Sequence, residues 1–82
     1  GELDGPEELF YENGQLQGRT NYVYGVKDGV FEGFYENGQL QVRVNYTDGV
    51  EDGLFEGFDE DGNLTETRTY RNGEVVEENF NP

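Results

Sequence analysis

Carboxylates are the chemistry this chain offers in quantity. Asp and Glu number 19 against 5 Lys and Arg, a formal charge of −14 over 82 residues. Several acids are close in sequence: Glu7-Glu8, Glu77-Glu78, and Asp59 with Asp61. Paired carboxylates run acid–base chemistry only when a cleft gives them contrasting environments. No His, Cys or Ser is present to act beside them as base or nucleophile. No catalytic residue, no cofactor and no enzyme activity is therefore expected. Dense oxygen also suits a hard cation. Asp59-Glu60-Asp61-Gly62-Asn63 has the oxygen density of a calcium loop, which makes Asp59 and Asp61 the metal candidates. The stretch lacks the closing Glu and the helical flanks of an EF-hand. The matching positions upstream read Tyr35-Glu36-Asn37-Gly38-Gln39, so turn chemistry explains the motif better than a metal. Asp48-Gly49-Val50-Glu51-Asp52 is a second acidic cluster with the same reading.

The charge also narrows the partners. Nucleic acid and anionic membrane surfaces both call for clustered Lys and Arg, which this chain lacks. An acidic surface suits a cation or a basic protein. Solubility, or a saline habitat, is the plainer explanation. The absence of Cys excludes disulfide and thiolate–metal scaffolds. No apolar run is long enough to span a membrane, and no signal peptide is recognisable. Gly1 is not an initiating residue and the chain opens inside a repeat at Leu3-Asp4-Gly5, so a trimmed or processed fragment is expected. The compartment stays open.

The elements that position these acids follow from the rest of the composition. Ala is absent and Lys and Arg are few, which leaves little helix propensity. Tyr, Phe, Val and Thr between Gly and Asn punctuation favour strands. Tyr22, Tyr46 and Tyr70 recur every 24 residues, as do Gly14, Gly38 and Gly62, and Phe10, Phe34 and Phe58. A fixed period of this size marks a repeat array with one supersecondary element per unit. The units divide at Asp4–Lys27, Asp28–Glu51 and Asp52–Val75, with Val76–Pro82 as a remnant.

Each unit reads as a hairpin. Asn13-Gly14, Asn37-Gly38 and Asp61-Gly62 suit two-residue type I′ turns, in which both central residues take positive φ. A tight middle turn would oppose Glu36 to Gln39, Tyr35 to Leu40 and Phe34 to Gln41. Gly33 would then face Val42, Glu32 face Arg43, and Phe31 face Val44. Alternation puts Phe31, Tyr35, Leu40, Val42, Val44 and Tyr46 on one face. Glu32, Phe34, Glu36, Gln41, Arg43 and Asn45 fall on the other. In the first unit Leu9 stands opposite Gly18 where the second has Gly33 opposite Val42. A large side chain has moved to its cross-strand partner, as two residues sharing one volume require. Glu8 opposite Arg19 repeats Glu32 opposite Arg43. The third unit breaks the pattern: Asp59 replaces the tyrosine, Glu66 the valine, and Arg68 enters the apolar face. A polar terminal repeat is what an array needs where stacking ends.

The expected architecture is a single-layer antiparallel meander of roughly six or seven strands. One apolar face on one layer needs strong curling, a second copy of the chain, or a partner to cover it. Phe10, Phe34 and Phe58 form a line on the otherwise polar face. Flanked by Glu32, Glu36, Glu56 and Glu60, they make a docking surface for a basic partner, or cover the stems of cross-strand neighbours. Gly29-Val-Phe-Glu-Gly33 and Gly53-Leu-Phe-Glu-Gly57 leave backbone room for aromatic rings.

The unit Asp28-Gly-Val-Phe-Glu-Gly-Phe-Tyr-Glu-Asn-Gly-Gln-Leu-Gln, ending in Asn45-Tyr46-Thr47-Asp48-Gly49, resembles the MORN repeat family. It is most similar to the bacterial variant, whose units read roughly aromatic–Tyr–x–Asn–Gly–x–Leu, then Tyr–x–x–Gly, then Asp–Gly. The resemblance covers nearly the whole chain. It implies an all-β array of three hairpin repeats, twisted or curled, acting as a non-catalytic protein-interaction scaffold. Bacterial proteins of that kind are often described as antitoxins of toxin–antitoxin pairs, which implies an acidic immunity protein blocking a basic toxin as the alternative. Calcium-dependent adhesion is a weaker one.

Overall fold

The computed structural model describes residues 4–80. Eight strands cover most of them: β1 (Gly5–Phe10), β2 (Leu16–Val23), β3 (Val26–Lys27), β4 (Gly29–Phe34), β5 (Leu40–Thr47), β6 (Val50–Phe58), β7 (Leu64–Arg71) and β8 (Glu74–Phe80). They form one antiparallel sheet in the order β1-β2-β4-β5-β6-β7-β8, with the two-residue β3 paired to β2. Strands β3 and β4 are one path interrupted at Asp28, whose N–H donates to the Asn21 carbonyl at 2.9 Å. Seven strand positions therefore lie side by side, each next to its neighbour in sequence. This is the meander that turn-punctuated, strand-forming sequence dictates.

The type I′ geometry expected at Asn13-Gly14, Asn37-Gly38 and Asp61-Gly62 is not found there. The Asn37-Gly38 hairpin is not a type I′ turn, because only Gly38 has positive φ (91°). Gly38 N–H donates to Tyr35 O, and Tyr35 N–H donates to Gln39 O, both at 2.9 Å. That is a three-residue loop, a type I turn closed by a glycine in the left-handed region. The same correction applies to Asn13-Gly14 and Asp61-Gly62. The type I′ geometry sits at the other turns. Tyr24-Gly25, Asp48-Gly49 and Asn72-Gly73 have positive φ at both residues and join pairs closed by Val23–Val26, Thr47–Val50 and Arg71–Glu74.

The longer loop moves the nearest pairs by one residue. Phe34 opposes Leu40, and Gln41 is the extra residue of a bulge. The bulge restores the register, so Gly33–Val42, Glu32–Arg43 and Phe31–Val44 pair as the sequence predicts. Leu9–Gly18 and Glu8–Arg19 do so too. Leu40 is thereby corrected to the face of Phe34, away from Val42.

Little is buried. Val44 (6% exposed) and Thr20 (8%) are the buried side chains near the middle of the sheet. The molecule measures 44 × 36 × 11 Å with a radius of gyration of 13.5 Å. A compact chain of this length would have about 11.7 Å. Among the described residues the sheet is one open layer with no second layer over it.

Candidate interaction surface

Strand alternation gives the two faces different chemistry. One face carries a charge ladder built by register: Glu8, Arg19, Glu32, Arg43 and Glu56 stand opposite one another across β1, β2, β4, β5 and β6. Adjacent members pair at 3.4, 3.6, 3.6 and 3.1 Å. Opposite charges on facing strand positions attract, and each arginine is shared by two glutamates. The charges stop there, and the row continues through Thr67 of β7 to Asn79 of β8. Beside the ladder run Phe10, Phe34 and Phe58, opposite Leu16, Leu40 and Leu64. Phe34 and Phe58 are half-buried, while Phe10 on β1 is 59% exposed.

The other face holds the aromatic rings. Phe31, Val44, Phe55 and Arg68 lie in one row across β4 to β7. Phe31 lies over glycine: a Cβ on Gly33 would meet its ring at 3.5 Å, and one on Gly18 at 3.9 Å. A Gly33 Cβ would also stand 3.0 Å from Val42 Cγ1, so Val42 fills the space its cross-strand glycine leaves. The residues that break the apolar pattern have partners here. Arg68 stacks on Phe55 at 4.9 Å, and the two rings of Phe55 and Tyr70 meet edge-on at 6.3 Å. Arg68 Nη2 also lies 2.8 Å from Glu66 Oε2. Lys27 Nζ sits 5.1 Å from both the Phe31 and Tyr46 rings. Two cations on long apolar stems thus partly cover a face that has no second layer. Burial, with help from Glu51 and then Tyr70, pushes the Tyr46 hydroxyl above its ordinary value and keeps it protonated.

The loop edge joins one repeat to the next. Tyr11 Oη donates to Phe34 O at 2.6 Å, and Tyr35 Oη to Phe58 O at 2.8 Å. Asn13 Nδ2 reaches Glu36 O at 3.4 Å, and Asn37 Nδ2 reaches Glu60 O at 3.0 Å. The Asn13 and Asn37 side-chain oxygens also accept from the N–H two residues on, which fixes their own loops. In the third loop Asp59 does that work, accepting from the N–H groups of Asp61 and Asn63. The sequence reading missed this stapling. Its signal was present: tyrosine stands at 11 and 35, and Asp59 takes the corresponding place in the third loop.

The residues singled out from sequence as partner-binding separate into three groups. Glu32 and Glu56 belong to the ladder, with side chains 23% and 22% exposed. Phe10, Phe34 and Phe58 form the line beside it. Glu36 and Glu60 stand exposed at the loop tips, where a groove of about 390 Å3 opens between them. Of the metal candidates, Asp59 spends its carboxylate on its own loop. The Asn63 N–H first, then the Asn63 side chain and the Asp61 and Gly62 N–H groups, hold its pKa below the ordinary aspartate value. Among the described residues, no three His, Cys, Asp or Glu side chains are grouped to hold a metal.

A one-layer sheet of stapled hairpins, uniform in period and open on both faces, defines a β-hairpin repeat protein. Three consecutive stretches, residues 3–24, 27–48 and 51–72, match the MORN repeat variant family, and the chain belongs to it. No curated protein and no solved structure matches the chain.

Proposed function

We propose that this chain is a non-catalytic interaction module that binds a protein partner on its Phe10–Phe34–Phe58 face. The observation that carries the reading is that this line of rings lies on an outer face of a one-layer sheet, with Phe10 59% exposed and Phe34 and Phe58 half-buried. Aromatic rings with acids at their margin are typical anchors of a binding surface. The family supports a repeat module, and a repeat module works by contact. Glu36 and Glu60, at the loop tips, have no ion-pair partner among the described residues, and their charge favours a basic partner.

The test compares the parent chain with a Phe34→Ser/Phe58→Ser double variant, both immobilised and both folded by circular dichroism. Each is exposed to lysate of the source organism. Proteins held by the parent and lost from the variant are the expected result. Identical captures, or none, would remove the reading. The net charge of −14 favours a second reading, an acidic immunity protein neutralising a basic toxin. A partner released by high salt supports that reading, and one that survives high salt supports the ring surface. Capture of its own copies alone would point to self-assembly through the apolar face.

A further inference from the structure

The groove at the loop edge is lined by Tyr11, Tyr35, Glu36, Asn37, Gln41 and Glu60. Its volume, about 390 Å3, falls in the range of small-ligand pockets. Its walls are held in place. Both tyrosine hydroxyls are anchored on carbonyls of the next repeat, and the Asn37 amide is committed to Glu60 O. What remains is two ring surfaces and two carboxylates. Neither the Glu36 nor the Glu60 carboxylate has an ion-pair partner among the described residues. Arg19 and Arg43 are taken by the ladder, Arg68 by Glu66 and Phe55, and Lys27 by its two rings, while Arg71 lies at the Asn72-Gly73 turn, at the other end of β7 from the groove's loops. Ring faces with unpaired carboxylates attract an ammonium or guanidinium group and repel phosphates and carboxylates.

The arrangement is stepped by the repeat. Tyr11 lies with Glu36 of the next unit, and Tyr35 with Glu60 of the one after. Equivalent points of neighbouring hairpins are two strands apart, about 10 Å. A peptide in the polyproline II conformation rises about 3.1 Å per residue with three residues per turn, so every third side chain points the same way and matches that step. We propose that this groove binds an extended basic segment of a protein partner, carrying Lys or Arg at every third position. The proposal rests on the reading of the chain as an interaction module, and it names the partner's chemistry and a docking place apart from the phenylalanine face.

Two synthetic peptides of equal charge test it: acetyl-Lys-Gly-Gly-Lys-Gly-Gly-amide and acetyl-Lys-Lys-Gly-Gly-Gly-Gly-amide. Each is titrated into the full chain and followed by calorimetry and amide chemical shifts. The spaced peptide should bind about fivefold tighter, with shifts centred on Tyr11, Tyr35, Glu36 and Glu60. Glu36→Gln with Glu60→Gln should weaken it by at least about fivefold while Tm stays at the parent value. Glu12→Gln removes the corresponding charge from the first loop, which has no preceding tyrosine beside it, and should leave binding unchanged. Equal affinity for the two peptides, equal loss from Glu12→Gln, or no shifts in the groove would each overturn the proposal. If the peptides fail while phenylalanine-dependent capture persists, the groove alone is refuted. If that capture also fails, so is the module reading.

Discussion

Replacing Tyr35 with Phe deletes one oxygen and leaves the ring. That oxygen donates a 2.8 Å, partly buried hydrogen bond to Phe58 O, between the second and third repeats. A neutral hydrogen bond of this kind contributes about 1 kcal/mol net. For a domain of this size that is a fall in Tm of about 4–8 °C. The loss should be local, because each repeat touches only its neighbours. Urea unfolding gives the magnitude, and native-state hydrogen exchange gives the place. Tyr35→Phe should speed exchange in β6 to β8 and leave β1 and β2 protected. Tyr11→Phe should do the reverse, by loosening the first repeat from the second. The two sites share no partner, so the double variant should lose about 2 kcal/mol, additive to within about 0.5. If both single variants melt with the parent and exchange as it does, the hydroxyls do not couple the repeats. The backbone ladder alone would then hold them together.

Further outcomes follow from the charges and the turns. Arg43→Gln should cost about 1 kcal/mol by urea unfolding at low salt, because it removes the cation between Glu32 and Glu56 and leaves Glu56 without its ion pair, and the cost should shrink in 1 M salt. Gly38→Val forces a β-branched residue to φ 91° and should destabilise by at least about 1–2 kcal/mol in the same assay. Tyr24 is 79% exposed and holds φ 51° in a turn where the later repeats place Asp48 and Asn72, so Tyr24→Asn should raise stability by up to about 1 kcal/mol. The hydrogen bonds to Asp59 lower its folded pKa, so their stabilisation is present above the ordinary aspartate range and is lost as pH falls through that lowered value. Amide shifts of Asp61 and Asn63 should therefore show a step in acid as Asp59 takes up its proton, and Asp59→Asn should remove that step.

The long-range plan was legible because it is periodic. Phe and Gly every 24 residues, with alternating strand chemistry between them, set the meander and the facing pairs of the hairpin arms. Glu8 opposite Arg19 and Glu32 opposite Arg43 could be written down from the letters, since opposed positions in an antiparallel pair share a face. Turn type could not. Asn-Gly is compatible with more than one loop, and whether Asn37 takes negative φ is decided by what the loop gains. In all three loops a side-chain oxygen, of Asn13, Asn37 or Asp59, accepts from backbone N–H groups inside the loop, and the first two loops also bond carbonyls of the next repeat. The register survived the wrong turn because the longer loop and the Gln41 bulge cancel.

The amino-acid sequence by itself determined the fold class, the repeat and its period, and the acidity, because these depend on composition and on neighbours a few residues apart. Only the tertiary structure decided which acids are free. It merges two separate hairpin pairs into one ladder that consumes Glu32 and Glu56, and it leaves Glu36 and Glu60 unpaired beside two anchored tyrosines. The physical reason is distance along the chain. Tyr11 meets Phe34, and Tyr35 meets Phe58, 23 residues away in sequence, and contacts of that span exist only once neighbouring hairpins lie side by side.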